Sequence, residues 1–246
     1  MAKQNIYDND IFYEGYRKIR NNPANANNLF EIPTLLSLLP DMTGKRVLDL
    51  GCGYGEHCRM FLEKGASSVV GIDISQKMLA VAKQENNDGR ITYINMAMED
   101  IGTLQMEFDV VVSSLAFHYV EDFTGVIGQI YRLLSKNGVL VFSQENPLCT
   151  CHSGGNRWTK DENGNKLYLN LADYGVESER ESVWFVDNVK KYHRMFSTIV
   201  NTLTEAGFTI RKMIEPLPTE EILAKHPEQK DLFHKPDFLL VRADKQ

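Results

Sequence analysis

A doubly wound, mostly parallel α/β sheet of seven strands with helices on both faces is the fold this 246-residue chain predicts, and three observations predict it. From Lys45 onward, short Val- and Ile-rich runs alternate with longer amphipathic segments, the pattern of strand–helix–strand crossovers. The first apolar run leads straight into glycines at alternate positions, Gly51-Cys52-Gly53-Tyr54-Gly55. A long stretch at 146–188, mixing Gly, Asn, Trp and Tyr, then interrupts the alternation as an insertion.

Taken in order, residues 1–44 read as a helical lid with a loop at Asn21-Asn22-Pro23. Strands are expected at 46–50, 68–72, 91–95, 109–113 and 139–143, with helices at 56–64, 76–85 and 123–134 between them. The strands are apolar on both faces, as parallel strands covered by crossover helices must be. Lys136-Asn137-Gly138 is a helix stop followed directly by a strand. The core is thus expected to span 45–145, with 146–188 as an inserted cap or substrate region. Residues 189–246 complete the sheet, through a long helix at 189–206 ending at Gly207 and strands at 208–214 and 237–242.

Composition narrows the function. At 43% hydrophobic and 24% charged, the chain is ordinary for a globular protein, and no run approaches the ~18 apolar residues of a membrane span. The start, Met1-Ala2-Lys3-Gln4-Asn5, lacks the apolar stretch of a secretory signal, so a cytoplasmic location is expected. A net charge of −6 gives no help to a nucleic-acid partner. Cys52 lies inside the glycine loop and Cys58 on the following helix, as suits free thiols of a reducing compartment, and Cys149-Thr150-Cys151-His152 lacks the second pair of a zinc site, so no metal is expected.

The glycine spacing is G-x-G-x-G rather than the G-x-G-x-x-G of dinucleotide sites, which points to S-adenosylmethionine (SAM). Gly51, Gly53 and Gly55, with Cys52 among them, let bare backbone pack against the adenosyl-methionine, and the following helix offers free N–H groups. Asp49 can hold the turn or accept from the ligand's α-ammonium. Asp73, closing the second strand, is placed for the ribose hydroxyls. Either acid could instead cap a helix, a role Ser75 can also fill. Tyr13, Tyr16, Arg17 and Arg20 share a helical face that could close over the cofactor, with Arg20 or Arg17 pairing the methionine carboxylate, or could form a solvated basic stripe with aromatic anchors.

Val47 to Gly55, Gly71-Ile72-Asp73-Ile74-Ser75 with Met78-Leu79, and Leu134-Ser135-Lys136-Asn137-Gly138 resemble successive motifs of the class I SAM-dependent methyltransferases, with their Rossmann-like sheet. The branch resembled includes the ubiquinone and menaquinone biosynthesis enzymes. The resemblance implies that Met98 and Glu99 contact the adenine, that Ile74 and Met78 wall it, and that Ser114 and Leu115 line the methionine end. Ala97 stands where the family carries a small acid, which leaves the adenine amino group to Glu99 or Asp100. The product would be S-adenosylhomocysteine (SAH).

Methyl transfer from a sulfonium needs positioning in a dry cavity and, for some acceptors, a base. His118, just beyond the fourth strand, is the first candidate base, with a pocket-shaping role as the alternative. His193 is the second, its pKa expected to fall beside Arg194, with an exposed helix start as the alternative. Glu145 could hydrogen-bond the acceptor, and Trp158, Tyr168, Tyr174, Trp184 and Phe185 could form an aromatic lid. The expected activity is methylation of a small organic acceptor. A tRNA or protein methyltransferase and a non-catalytic SAM-binding regulator are the alternatives.

Overall fold

The computed structural model describes residues 4–246; residues 1–3, which open the expected lid and the expected leaderless start, lie outside the described residues. In chain order, α1 (Asp10–Arg20) and α2 (Ile32–Leu38) precede β1 (Arg46–Leu50). The alternating core follows as α3 (Glu56–Glu63), β2 (Ser68–Asp73), α4 (Gln76–Glu85), β3 (Ile91–Asn95), β4 (Phe108–Ser113), α5 (Phe123–Leu133) and β5 (Leu134–Glu145). Next come α6 (Pro147–Thr150), β6 (Trp158–Lys160), β7 (Lys166–Leu169), β8 (Glu179–Trp184) and β9 (Val186–Tyr192). The chain closes with α7 (Phe196–Glu205), β10 (Phe208–Ile214), α8 (Glu220–Lys225) and β11 (Phe238–Lys245).

Seven strands form one sheet in the order β10-β11-β5-β4-β1-β2-β3. The five from β1 to β5 are parallel, while β11 lies antiparallel to β5, and β10 antiparallel to β11 at the edge. This is the doubly wound architecture the alternation predicts. Successive residues of β1 face opposite layers. Val47 packs with Leu35 of α2 and Phe61 of α3, and Leu48 with Ile127 of α5 and Ile199 of α7. Each of these side chains is at most 1% exposed, and burying one contributes about 1.5–3 kcal/mol. Strand order reverses at β1 and β4, which opens a crevice at their carboxyl ends, the place where such sheets bind ligands.

Two expectations fail. The helix expected over 189–206 begins only at Phe196; residues 186–192 are β9, paired antiparallel with β8 from Glu179↔Tyr192 to Trp184↔Val186. A boundary at 188 therefore cuts through a hairpin. Phe185 and Asn188 take left-handed backbone there (φ 61° and 59°), a local conformation that periodicity does not reveal. The insertion is likewise ordered into hairpins, β6–β7 and β8–β9, rather than irregular. A smaller difference lies in β5, which starts at Leu134 instead of 139 because Asn137 (φ 62°) makes a bulge inside the strand.

Gly55 precedes α3 at φ 76°, and a Cβ there would lie 2.2 Å from the Tyr93 hydroxyl, which donates to the Asn86 carbonyl. Its backbone conformation and the missing space both demand glycine. Gly55→Ala should lose about 2 kcal/mol or more of stability in equilibrium denaturant unfolding; an unchanged midpoint would refute this.

Candidate active site

The glycine loop is fastened to the sheet by backbone bonds. Gly51 N–H and Cys52 N–H both donate to the Ile72 carbonyl at 2.9 Å. Asp73 braces the next turn: one oxygen accepts from Gly53 N–H (2.9 Å), the other from Ser75 N–H (2.8 Å). Ser75 itself caps α4, accepting from Met78 N–H at 3.1 Å. Burial pushes the Asp73 carboxyl up, against the two backbone donors. Gly53 stands at φ 53°, and a Cβ on it would meet nothing within 4 Å. Its bare face borders a cavity of about 530 Å³.

That cavity gathers most of the residues singled out from the sequence. Gly51, Cys52, Gly53 and Asp73 form one wall, and Ile74, Met78, Met98 and Glu99 another; Ser114 and Leu115 lie at the end of β4, and Tyr16 and Arg20 reach in from α1. Arg20 is ion-paired with Glu56, which lines the same cavity. Arg17 and Tyr13 do not line it: Arg17 is half exposed beside Glu14, and Tyr13 packs edge-on against Tyr54. Gly55 serves the loop's fold, and Asp49 lies behind the loop rather than in the cavity wall.

Asp49 is 1% exposed. One oxygen accepts from the Cys58 thiol at 3.3 Å, and the other has no partner. Burial pushes its carboxyl up to about 7, with Asp73 and Glu31 adding repulsion. Glu31 is a residue the sequence reading missed. Its Oε1 accepts from the Ser143 hydroxyl (2.5 Å) and the Ser114 hydroxyl (2.9 Å), while its Oε2 is buried without a partner. The same Ser143 oxygen accepts from Leu115 N–H at 2.9 Å and so holds Leu115 in left-handed backbone (φ 51°) at the cavity wall. One signal was available: a lone acid inside the apolar run Leu29-Phe30-Glu31-Ile32. His57 was missed too; it lines the cavity with an unpartnered Nε2, and burial followed by Arg20 lowers its pKa to about 4.

The opposite end of the cavity holds His118, Tyr119, Glu145, Trp184 and Tyr192. His118 is 4% exposed, and burial lowers its pKa to about 4, so the ring is neutral at pH 7. Its Nδ1 accepts from Glu145 N–H at 3.3 Å. The Glu145 carboxylate pairs with Lys191 Nζ at 2.5 Å; His118 and Lys191 hold its pKa down against burial.

His193 is not brought to this cavity, nor does it open a helix. It follows β9, 1% exposed, with Nδ1 2.9 Å from the Thr150 hydroxyl and Nε2 2.9 Å from the Tyr174 carbonyl. Its pKa falls mainly through burial, with Arg194 a minor contributor, because the Arg194 guanidinium turns to the carbonyls of Phe117, Val120 and Glu121. Of the expected aromatic lid, only Trp184 lines the cavity. Phe185 packs on Phe12, Trp158 on His234 and Tyr174 on His193, while Tyr168 is 56% exposed. Among the described residues no group of three or more His, Cys, Asp or Glu side chains is arranged for a metal ion, and no helix is long and apolar enough to cross a membrane.

Residues 48–142 match a family described as a methyltransferase domain. A Listeria monocytogenes protein whose structure is described as a putative S-adenosylmethionine-dependent methyltransferase superposes with a TM-score of 0.81 at 41% identity, covering 88% of this chain and 96% of that one. The chain belongs to the SAM-dependent methyltransferases. A Mesorhizobium loti enzyme of the same description has a TM-score of 0.79 at 38% identity over 87% of this chain and 97% of its own. A Haemophilus influenzae protein called only uncharacterized is 42% identical over 99% of this chain and 98% of its length.

SAM is the cofactor of this methyltransferase, and the residues present fit it. The open face of Gly53 leaves room that a side chain would fill. The unpartnered oxygens of Asp49 and Glu31 are buried carboxyl acceptors whose ionised forms a ligand carrying an ammonium and a sulfonium would favour.

Asp49 also sets a pH dependence. Its folded pKa of about 7 lies above the ~3.9 of an unfolded chain, so its contribution is fully present below pH ~4 and is lost as pH rises toward 7. Asp49→Asn should therefore flatten the fall in stability of the cofactor-free enzyme between pH 4 and 7, removing a slope of up to ~1.4 kcal/mol per pH unit. Parallel stability–pH curves for variant and wild type would overturn the assignment.

Proposed function

We propose that the enzyme transfers a methyl group from SAM to a small organic acceptor by in-line displacement. The observation that carries this is one continuous cavity, running from the glycine loop to His118, Tyr119 and Glu145 beneath α1 and the β8–β9 hairpin. Residues 4–44 act as a lid and the insertion, with its β8–β9 hairpin continuing to Tyr192, as a cap over it. When bound, SAM supplies an electrophilic methyl on its sulfonium. Asp73, with each oxygen committed to only one backbone donor, keeps lone pairs for the ribose hydroxyls. Ile74, Met78 and Met98 wall the adenine, with Glu99 at its edge. Arg20 exchanges Glu56 for the methionine carboxylate, with Tyr16 packed beside it. Gly51, Cys52, Ser114 and Leu115 shape the methionine end, supported from behind by Asp49.

On the acceptor side, the neutral His118 ring accepts at Nδ1 and so carries its proton on Nε2. It acts as a hydrogen-bond donor that orients the acceptor rather than as the base. Glu145, ionised beside His118, is the group suited to take a proton or hydrogen bond from the acceptor. His193 contributes by pinning the cap, through Thr150 and Tyr174. A tRNA or protein acceptor would need an open basic face, which suits neither this covered cavity nor a chain of net charge −6.

Incubation with SAM and a size-fractionated cell extract should form SAH with the low-mass fraction; turnover with only the tRNA or protein fraction would refute a small acceptor. Asp73→Ala should weaken SAM binding about tenfold by calorimetry, through lost ribose hydrogen bonds, and an unchanged Kd would remove that role. His118→Ala should lower kcat about tenfold with SAM affinity kept within about twofold. Equal losses in both would reduce His118 to a packing residue.

A further inference from the structure

A second cavity, of about 480 Å³, opens beside the first and shares Glu145, Trp184 and Phe238 with it. Its remaining wall is rich in cations: Arg157, Arg180, Lys191 and Lys235 all line it. Two of these are neutralised locally, Lys191 by Glu145 and Lys235 by Asp237. The arginines are not. Among the described residues, neither Arg157 nor Arg180 has a carboxylate within ion-pair distance.

The two guanidiniums are nonetheless held in place. Arg180 donates to the carbonyls of Cys151 (3.3 Å), Asp173 (3.3 Å) and Val176 (2.7 Å), and to the Ser178 hydroxyl. Neutral carbonyls fix its direction and leave its charge uncompensated. Arg157 donates once, to the Cys149 carbonyl at 3.2 Å, and most of its N–H donors stay available. Both side chains are half-buried, so their charge is less screened by water than that of a surface arginine. The third acid at this cavity, Glu181, is exposed. The carbonyl bonds that hold Arg180 in the insertion leave the charge of both arginines facing the second cavity, on a chain of net charge −6.

We infer that this second cavity binds the anionic end of the acceptor, a carboxylate or a phosphate monoester gripped by Arg157 and Arg180, while the atom to be methylated lies at the His118–Glu145 end. The largely free guanidinium fork of Arg157 matches such an oxyanion bidentately, and Arg180, with four of its five N–H donors engaged, adds its charge and one further donor. This rests on the small-acceptor function proposed above and adds its substrate class: molecules long enough to reach from one cavity into the other, with an acidic terminus.

The test is calorimetric titration of the enzyme, alone and saturated with SAH, with inorganic phosphate and separately with malonate. At least one anion should saturate a single site, with its affinity falling tenfold or more in Arg157→Gln while SAH affinity stays within about twofold. Arg157→Lys, which keeps the charge but loses the fork, should weaken the same anion and covers the case in which Arg157→Gln fails to fold. Tighter phosphate binding identifies a phosphorylated acceptor, and tighter malonate binding a carboxylic acid. Failure of both anions to saturate by about 10 mM, or equal binding by wild type and both variants, would overturn the site. Anion binding lost while the low-mass fraction still forms SAH sinks only this inference; anion binding intact while that fraction forms none sinks the small-acceptor function instead.

Discussion

The carboxylate of Asp73 is the point on which the cofactor site depends. It closes β2, ties down Gly53 N–H with one oxygen and Ser75 N–H with the other, and so locks the glycine loop and the start of α4 to the same edge of the sheet. Without that clamp the N–H groups of two adjacent turns would point into an apolar crevice unpaired, a cost of about 1–3 kcal/mol each. With it, the open face of Gly53 is held toward the cavity at the crevice between β1 and β4.

Around that clamp the structure accumulates negative charge beneath the loop. Asp49, Asp73 and Glu31 are all pushed up by burial, and Asp49 and Glu31 each keep a buried oxygen without a partner. Three acids raised together are unfavourable in the cofactor-free protein. A cationic ligand relieves them. The Glu31–Ser143–Leu115 chain links one of these carboxyls to the cavity wall where β4 ends.

The two histidines show how burial alone separates roles. Burial lowers the pKa of both, but His118 borders the cavity with Nδ1 occupied by a backbone donor, whereas His193 has both ring nitrogens engaged inside the insertion. The same insertion brings Arg157 and Arg180 to the cavity that adjoins Glu145 and Trp184 and fixes Arg180 with carbonyls rather than acids. The glycine-loop wall of the first cavity thus comes from the sheet edge, and the arginines of the second from the segment that interrupts the alternation.

The parallel strands, the glycine loop and Asp73 at the end of the second strand were legible in the sequence, because each follows from local rules: apolar runs, a loop needing bare backbone, and an acid at a strand end. Tertiary structure decided the rest. Whether residues 186–192 formed a strand or the start of a helix depended on pairing with β8, a contact that local periodicity does not encode. Gly55 faces the Tyr93 hydroxyl, and Asp49 sits behind the loop, because side chains distant in sequence occupy the space around them. Glu31, His57 and the paired arginines acquire meaning only when elements far apart in the chain converge, since burial and the absence of a counter-charge are properties of the packed molecule.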